Sequence, residues 1–152
     1  KGVSTSIIVE VLFLLGNKKK MIKKEKPKIT IFYCINSFKQ PERPMLENCD
    51  IKYVKMPCSS MTKDVYLLRA FEAGADAVLV FICPEDACRY AEGGKRARKR
   101  IECTRGILDQ IGMKGEKQLA IYNIVSGDDK AVKEIIKKTL DGLKDLDESP
   151  NK

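Results

Sequence analysis

A short, wholly apolar segment constrains the fold of this chain more than any other feature. Residues 77–82, with the sequence AVLVFI, contain no polar side chain and are followed directly by Cys83. A strand that is apolar at every position has both faces covered, which is typical of a central strand in a parallel sheet with helices on each side. We therefore predict a buried parallel strand over 76–82 at the centre of the domain.

Three other segments have the composition of strands. They are predicted over 28–34, 51–56 and 118–125, and the second alternates apolar and charged residues as an edge strand does. The segment 36–50 contains two prolines and is predicted as a loop, with at most a turn of helix at 45–47. Because strands that alternate with helices form parallel sheets, the predicted fold class is α/β: a small doubly wound, mostly parallel four-stranded sheet with helices on both faces.

Three helices are predicted from the spacing of apolar residues. The first runs from Lys63 to Ala73, with Thr62 as its N-cap and Gly74 as its stop. The second covers 95–111, and the last follows the polar residues 126–129. The residues expected to face the core are Val65, Leu68 and Phe71 in the first helix, Ala97, Ile101, Leu108 and Ile111 in the second, and Val132, Ile135, Ile136, Leu140 and Leu143 in the last.

The length of 152 residues is that of one domain. We predict an α/β domain over 28–146, preceded by a basic and apolar extension over 1–27 that is either not native or disordered. A tail over 147–152 is expected to fray. Residues 1–28 carry six of the eight excess positive charges, so the body of the chain is nearly neutral and no nucleic-acid partner is expected.

The apolar stretch 7–15 is interpreted as neither a membrane span nor a secretion signal. It contains Glu10, is much shorter than the roughly 20 residues a spanning helix needs, and lacks a small-residue cleavage site. Met21 is the expected start, which makes 1–20 an over-extended reading frame, an expression remnant or a partner-binding extension. The charged composition and reduced cysteines favour a cytoplasmic protein without a membrane partner.

Four of the six cysteines are expected to meet at one edge of the sheet. Cys34, Cys58 and Cys83 each come at the end of a predicted strand, and Cys88 follows five residues after Cys83. The carboxyl ends of parallel strands lie at the same edge, where doubly wound sheets bind their ligands. Cys49, in the loop before the second strand, is expected to have no role, with an extra ligand as the alternative. Since it points away from the apolar stripe of its helix, Cys103 is expected to be a partly exposed thiol.

Four thiolates suit either tetrahedral zinc or an iron-sulfur cluster, since both favour soft sulfur ligands. The chain contains no histidine, which excludes Cys/His zinc sites, Ser-His-Asp triads and Cys-His nucleophiles, and no catalytic residue is predicted. The residues alone leave three interpretations open. These are a metal site on the thiolates, a structural or interaction module with zinc or no metal, and a thiol-disulfide switch between Cys83 and Cys88.

A basic run occupies the first turns of the second predicted helix: Lys95, Arg96, Arg98, Lys99 and Arg100. It is interpreted as a solvated face, with a docking surface for an acidic partner as the alternative. The preceding Gly93 and Gly94 are interpreted as the turn that starts the helix. Their alternative role is the presentation of backbone amides to an anion.

Three motifs carry a family resemblance: MPCSS at 56–60, LRAFEAGADAVLV at 68–80 and CPEDACRYAEG at 83–93. Together they resemble the methyl-viologen-reducing hydrogenase delta-subunit family, over about residues 28–145. The resemblance implies a hydrogenase iron-sulfur subunit that is associated with heterodisulfide reductase. It also implies a 2Fe-2S cluster whose ligands are Cys34, Cys58, Cys83 and Cys88.

The role implied by the resemblance is electron transfer without chemistry on a substrate. Such a subunit relays electrons from a hydrogenase, or from a formate dehydrogenase or methylene-tetrahydrofolate reductase module, to a heterodisulfide reductase-like flavin and iron-sulfur subunit. The chain departs from the family pattern at Ser37, where a second cysteine of a CxxC motif is common, and in the loop that replaces the following helix. Pro84 and Arg89 are departures within the paired motif. Four cysteines remain, the number a 2Fe-2S cluster needs.

Overall fold

The computed structural model describes residues 26–42 and 45–148, so the predictions for 1–25 and 149–152 lie outside the described residues. Four strands form one sheet in the order β2-β1-β3-β4, and every neighbouring pair is parallel. They are β1 (Lys28–Cys34), β2 (Asp50–Met56), β3 (Ala77–Ile82) and β4 (Leu119–Asn123). The predicted parallel, four-stranded sheet is confirmed, with β2 at an edge.

Within the described residues, four helices accompany the strands: α1 (Asp64–Glu72), α2 (Gly93–Gln110), α3 (Gly115–Gln118) and α4 (Asp129–Glu148). Short 3-10 turns follow β2 at Ser59–Met61 and β3 at Glu85–Ala87. Helix α4 covers one face of the sheet, while α1 and α2 cover the other, which confirms the doubly wound architecture. Among the described residues, no helix combines the length and apolar character needed to cross a membrane.

The central strand β3 is buried at every position. Because successive side chains of a strand point to opposite faces, Leu79 and Phe81 contribute to the core under α4, whereas Val78 and Val80 contribute to the core under α1 and α2. The predicted inward residues of α2 and α4 are confirmed. Those that are buried are Ala97, Ile101 and Leu108 in α2, and Val132, Ile136, Leu140 and Leu143 in α4.

The inward face of α1 differs from the predicted one. Leu67, Ala70 and Phe71 are buried, whereas Val65 is 46% exposed and Leu68 is only partly buried. The predicted stripe used a spacing of three residues, which drifts by about 60° at each step because an α-helix has 3.6 residues per turn. Packing against the sheet therefore selects a face that is rotated relative to the predicted stripe.

The start of α1 also differs from the prediction. The helix begins at Asp64, Lys63 occupies the N-cap position, and no side chain caps the helix. The buried hydroxyl of Thr62 instead lies 3.6 Å from the sulfur of Met56. The predicted stop is confirmed, since Gly74 follows the helix with a φ of 104°, a backbone conformation that glycine adopts without strain.

The last strand is shorter than predicted at both ends. Gln118 belongs to α3, where its side-chain amide accepts a hydrogen bond from the Lys114 backbone and donates one to the Asp76 carbonyl. At the other end Val125 is 62% exposed, beyond the reach of the sheet. Helix α4 continues to Glu148, two residues past the predicted end of the domain.

The loop after β1 is anchored by an aromatic side chain that the sequence analysis did not single out. Phe38 is buried, and its ring centroid lies 5.3 Å from that of Tyr33, 5.5 Å from that of Phe81 and 5.9 Å from that of Tyr53. Edge-to-face and stacked contacts of this kind stabilise aromatic clusters. No helical turn forms at 45–47, where the side chains of Met45 and Leu46 pack against the same core.

Candidate functional site

The strand order produces a switch point between β1 and β3. The chain moves outward from β1 to β2 on one side and from β3 to β4 on the other. At such a point the connections after two neighbouring strands diverge, and doubly wound sheets bind ligands in the crevice that this leaves. Cys34 is the last residue of β1 and Cys83 directly follows β3, so two of the cysteines flank this crevice.

The four cysteines from the sequence analysis lie together at this edge. The thiols of Cys34 and Cys88 both interact with the thiol of Cys83. Cys58 and Cys88 both lie beside the first residue of α2, because a Cβ atom on Gly93 would lie 2.9 Å from the Cys58 Sγ and 3.5 Å from the Cys88 Sγ. All four cysteines are free thiols. Three strand ends and one turn thus supply a connected set of sulfur atoms.

The environment of the thiols separates their acidities. Cys34, Cys58 and Cys83 are buried, while Cys88 is partly exposed. Burial, followed by the neighbouring thiols of Cys88 and Cys34, raises the pKa of Cys83 to about 12. The pKa of Cys88 is lowered instead, mainly because the backbone N–H of Tyr90 donates to its sulfur. Within this pair, Cys88 is the thiol that ionises first.

Backbone N–H groups of the turn before α2 and of the start of α2 donate hydrogen bonds to the Cys88 sulfur. Besides the Tyr90 amide, the N–H groups of Gly93 and Gly94 at the start of the helix favour the thiolate of Cys88. Ala91 adopts a φ of 50° within this turn, in the left-handed region. The amino end of a helix favours negative charge. The two glycines both start the helix and present backbone amides that favour the thiolate form of Cys88.

Cys58 lies at the start of the 3-10 turn after β2. The backbone N–H of Ser60 donates to its sulfur over 3.4 Å, and its neighbour Ser59 is fully buried. The Ser59 Oγ lies 3.1 Å from the position of a Cβ on Gly93, and it has no hydrogen-bond partner. Sequence reasoning missed Ser59, whose only signal was its place beside Cys58, and it considered Gly93 for its backbone amide but not for the space that the missing side chain leaves.

Ser37, which stands where a second cysteine of a CxxC motif is common, does not face the thiols. It is fully buried, and its Oγ lies 2.9 Å from the carbonyl oxygen of Cys34 and 3.1 Å from that of Phe81. These carbonyl groups belong to β1 and β3, on either side of the switch point. Ser37 therefore ties the two strand ends together rather than adding a fifth ligand.

Two arginines of the basic run on α2 form hydrogen bonds that hold the segments next to the thiols. Arg100 is half-buried and donates to the carbonyl oxygen of Ser60 at 2.9 Å. Arg98 donates to the side-chain oxygen of Asn123, whose amide nitrogen in turn donates to the Cys83 carbonyl over 3.2 Å. The predicted solvated face therefore does not describe these two arginines, since each holds a backbone or side chain next to a thiol.

The other two cysteines lie outside the site. Cys49 precedes β2 at the amino end of the sheet, where it is buried in the core under α4 and burial raises its pKa. Cys103 is exposed on α2, as expected. Seven residues of strand, at about 3.3 Å each, separate Cys49 from the edge that holds Cys58.

The residues present fit a sulfur-bound group. Within 26–42 and 45–148, no three Cys, Asp or Glu side chains surround a position for a single metal ion. A shared group would thus require the thiols to rotate about their Cα–Cβ bonds, and Cys88, as the most exposed of them, has the most room. The site offers four soft donors, backbone amides that donate to two of them, an unpaired hydroxyl and the space beside Gly93. These features suit an iron-sulfur group or zinc.

Several known proteins are similar to parts of this chain. The iron-sulfur subunit of the F420-non-reducing hydrogenase vhu from Methanococcus maripaludis is 31% identical over 102 residues, which are 67% of this chain and 75% of that protein. Its counterpart of the same name from Methanocaldococcus jannaschii is 34% identical over 67 residues, 44% of this chain and 50% of that protein. One subunit of the ferredoxin:CoB-CoM heterodisulfide reductase from Methanosarcina mazei is 34% identical over 64 residues, 42% of this chain but 8% of that protein.

The model of one protein family, described as methyl-viologen-reducing hydrogenase, delta subunit, matches residues 43–147. This range includes Cys58, Cys83 and Cys88, whereas Cys34 precedes it. The expected family resemblance is confirmed by a match of this extent and by a relative that aligns over three quarters of its own length. The chain belongs to the methyl-viologen-reducing hydrogenase delta subunit family.

Proposed function

We propose that this protein is an electron-transfer subunit that holds a 2Fe-2S cluster on Cys34, Cys58, Cys83 and Cys88. The observation that carries the proposal is the meeting of four thiols at the switch point of the sheet. Four cysteine thiolates are the usual ligands of such a cluster, which supplies one-electron transfer when bound. The protein itself performs no chemistry on a substrate.

The protein contributes the surroundings that this chemistry needs. Burial of Cys34, Cys58 and Cys83 keeps water from the inner side of the site. Cys88 is partly exposed, so it offers electrons the shortest path to the surface. Backbone amides that donate to Cys58 and Cys88 stabilise negative charge on sulfur, and hydrogen bonds of this kind set the reduction potential.

Exposed apolar side chains around the thiols support a partner at this edge. Ile35, Met61, Tyr90 and Val125 lie in the connections beyond the carboxyl ends of the four strands, and they are between 47% and 62% exposed. Large exposed apolar groups that surround a polar site are typical of protein-protein contacts. The proposal therefore places a redox partner over this edge, in direct reach of Cys88.

The relatives' names supply the kind of partner. Two of them are named as hydrogenase iron-sulfur subunits, and one is named as part of a heterodisulfide reductase. We propose that the donor is a hydrogenase, or a formate dehydrogenase or methylene-tetrahydrofolate reductase module. The acceptor is a heterodisulfide reductase-like flavin and iron-sulfur subunit. Thiolate ligands require reducing surroundings, so the proposed location is the cytoplasm.

The test is the metal content of the anaerobically purified protein. Iron, acid-labile sulfide and zinc per chain are measured together with the visible spectrum, for the wild type, Cys83→Ser and Cys49→Ser. Cys49 is the matched control because it is equally a buried cysteine but lies at the other end of the sheet. We expect about two irons and two sulfides per chain, lost in Cys83→Ser and retained in Cys49→Ser.

The other outcomes contradict the proposal in distinct ways. One zinc per chain would favour a structural zinc module. A folded protein without metal would favour an interaction module, and reversible pairing of Cys83 with Cys88 in that protein would favour a thiol-disulfide switch. Equal loss of iron in both variants would show that the cysteines act through stability alone.

A further inference from the structure

The hydroxyl of Ser59 is a buried donor without a partner. The side chain is fully buried, and in the described parts of the chain its Oγ and the Tyr53 hydroxyl are the two buried side-chain atoms that make no hydrogen bond. Buried polar groups in native proteins are nearly always paired, because an unpaired group has lost its hydrogen bonds to water and gained none. An orphaned hydroxyl inside a binding site therefore points to a bound group that pairs with it.

The orphaned hydroxyl faces the space between two thiols. A Cβ on Gly93 would lie 2.9 Å from the Cys58 Sγ, 3.1 Å from the Ser59 Oγ and 3.5 Å from the Cys88 Sγ. One point, which the glycine leaves open, is thus surrounded by two sulfur atoms and one hydroxyl oxygen. A small rotation of the Ser59 side chain aims its proton at sulfur.

Two other buried hydroxyl groups near the site already have partners. The Ser37 Oγ lies against two backbone carbonyl groups, and the Thr62 hydroxyl lies against the sulfur of Met56. Ser60 reaches Cys58 through its backbone N–H rather than through its side chain. The Ser59 hydroxyl is therefore still able to donate a hydrogen bond to the sulfur atoms.

We propose that Ser59 is a positioning residue whose hydroxyl donates a hydrogen bond to the sulfur atoms of the loaded site, and that this bond raises the reduction potential. The inference rests on the proposed function. Hydrogen bonds to sulfur stabilise the reduced, more negative state of an iron-sulfur group more than the oxidised state. Their removal therefore lowers the reduction potential.

The test compares Ser59→Ala with Ser60→Ala in the anaerobically purified full chain. Both variants remove one hydroxyl from the same turn, and both keep the Ser60 backbone N–H that donates to Cys58. We measure iron and sulfide per chain, the midpoint potential by spectroelectrochemical titration, and thermal unfolding of the metal-free proteins. For Ser59→Ala we expect full loading and a reduced-to-oxidised ratio at fixed potential that falls about tenfold, equal to about 59 mV for one electron. Ser60→Ala should keep the wild-type potential.

The metal-free protein provides a readout that is independent of the bound group. Because the Ser59 Oγ has no partner there, Ser59→Ala should unfold at the same temperature as the wild type or at a higher one. An unchanged potential in Ser59→Ala would overturn the inference, as would a lower unfolding temperature that accompanies reduced loading. A wild type without iron and sulfide would instead refute the proposed function, and this inference with it.

Discussion

Replacing Gly93 with alanine places a methyl group in the space between the thiols. The new Cβ would lie 2.9 Å from the Cys58 Sγ and 3.1 Å from the Ser59 Oγ. Non-bonded heavy atoms normally approach to about 3.5–4.0 Å, so the Cys58 sulfur would have to move by roughly half an ångström or more. Since both neighbours are buried, the movement displaces packed atoms rather than solvent.

Two opposing terms decide the stability of Gly93→Ala. Alanine in place of glycine within a helix stabilises the folded state by at most about 1 kcal/mol. Overpacking of a buried site costs about 1–3 kcal/mol. We expect the free energy of unfolding of the metal-free protein to fall by about 1 kcal/mol, which lowers the midpoint of thermal unfolding by roughly 2–4 °C. If the proposed cluster is bound there, iron and sulfide content should fall far more, because the methyl group would occupy space beside two of its proposed ligands.

Gly106→Ala is the matched control for this prediction. Gly106 is exposed in the middle of the same helix, and a Cβ there would meet no atom within 4 Å. Only helix propensity changes, so we expect a gain of up to about 1 kcal/mol and an unchanged metal content. Thermal unfolding of the metal-free variants and iron analysis of the purified ones are the assays. If Gly93→Ala were as stable as Gly106→Ala and carried full iron, the space beside Gly93 would not belong to the site.

Three further predictions test separate parts of the structure. Tyr53→Phe removes a buried, unpaired hydroxyl, so urea unfolding at pH 7 should show a gain of about 1 kcal/mol. Burial raises the pKa of Tyr53 from 10 to about 12, so above pH 10 the unfolded chain loses this proton more readily than the folded protein. The free energy of unfolding of the wild type should therefore fall relative to that of Tyr53→Phe between pH 10 and 12. Parallel pH profiles of the two proteins would contradict this. Ser37→Ala leaves the strand-end carbonyl groups of β1 and β3 without their hydroxyl donor, and urea unfolding should show a loss of about 1–2 kcal/mol, whereas unchanged stability would contradict the tie. In metal-free protein that carries Cys103→Ser, iodoacetamide should label Cys88 at least about ten times faster than Cys83. Cys88 should react faster because it is more exposed and its pKa is lowered. Equal labelling rates, measured by peptide mass mapping, would contradict these acidities.

The location of the thiols could be predicted because strand ends are marked locally. Cys34 ends a segment whose composition alone identifies it as a strand, and Cys58 and Cys83 follow two other such segments within two residues. Parallel topology then brings such ends to one edge without knowledge of any contact. Strand positions and the edge that holds the cysteines therefore follow from short-range patterns and from the rules of sheet connection.

The contacts around the thiols could not be predicted, because they join residues far apart in the chain. Ser59 and Gly93 meet only when the start of α2 packs on the turn after β2. Arg100 is one of five basic residues in a run, and its charge does not reveal that it holds the Ser60 carbonyl. The prediction of which face of α1 is buried was wrong for a related reason. Val65 and Leu67 are both apolar, and only packing on the sheet decides that Leu67 faces inward.

The positions of the thiols on separate strand ends have a consequence for chain stability. Cys34 and Cys58 are separated by about two dozen residues, as are Cys58 and Cys83, so a group bound by all of them closes two loops. In the chain-entropy model, each cross-link over such a loop disfavours the unfolded chain by about 3.5 kcal/mol. Oxidative destruction of the group would remove both cross-links at once and loosen the edge at the switch point, while the core under α4 stays packed. If the proposed cluster is bound, its loss would therefore expose this edge to proteolysis, and the lifetime of the protein would follow the integrity of the cluster.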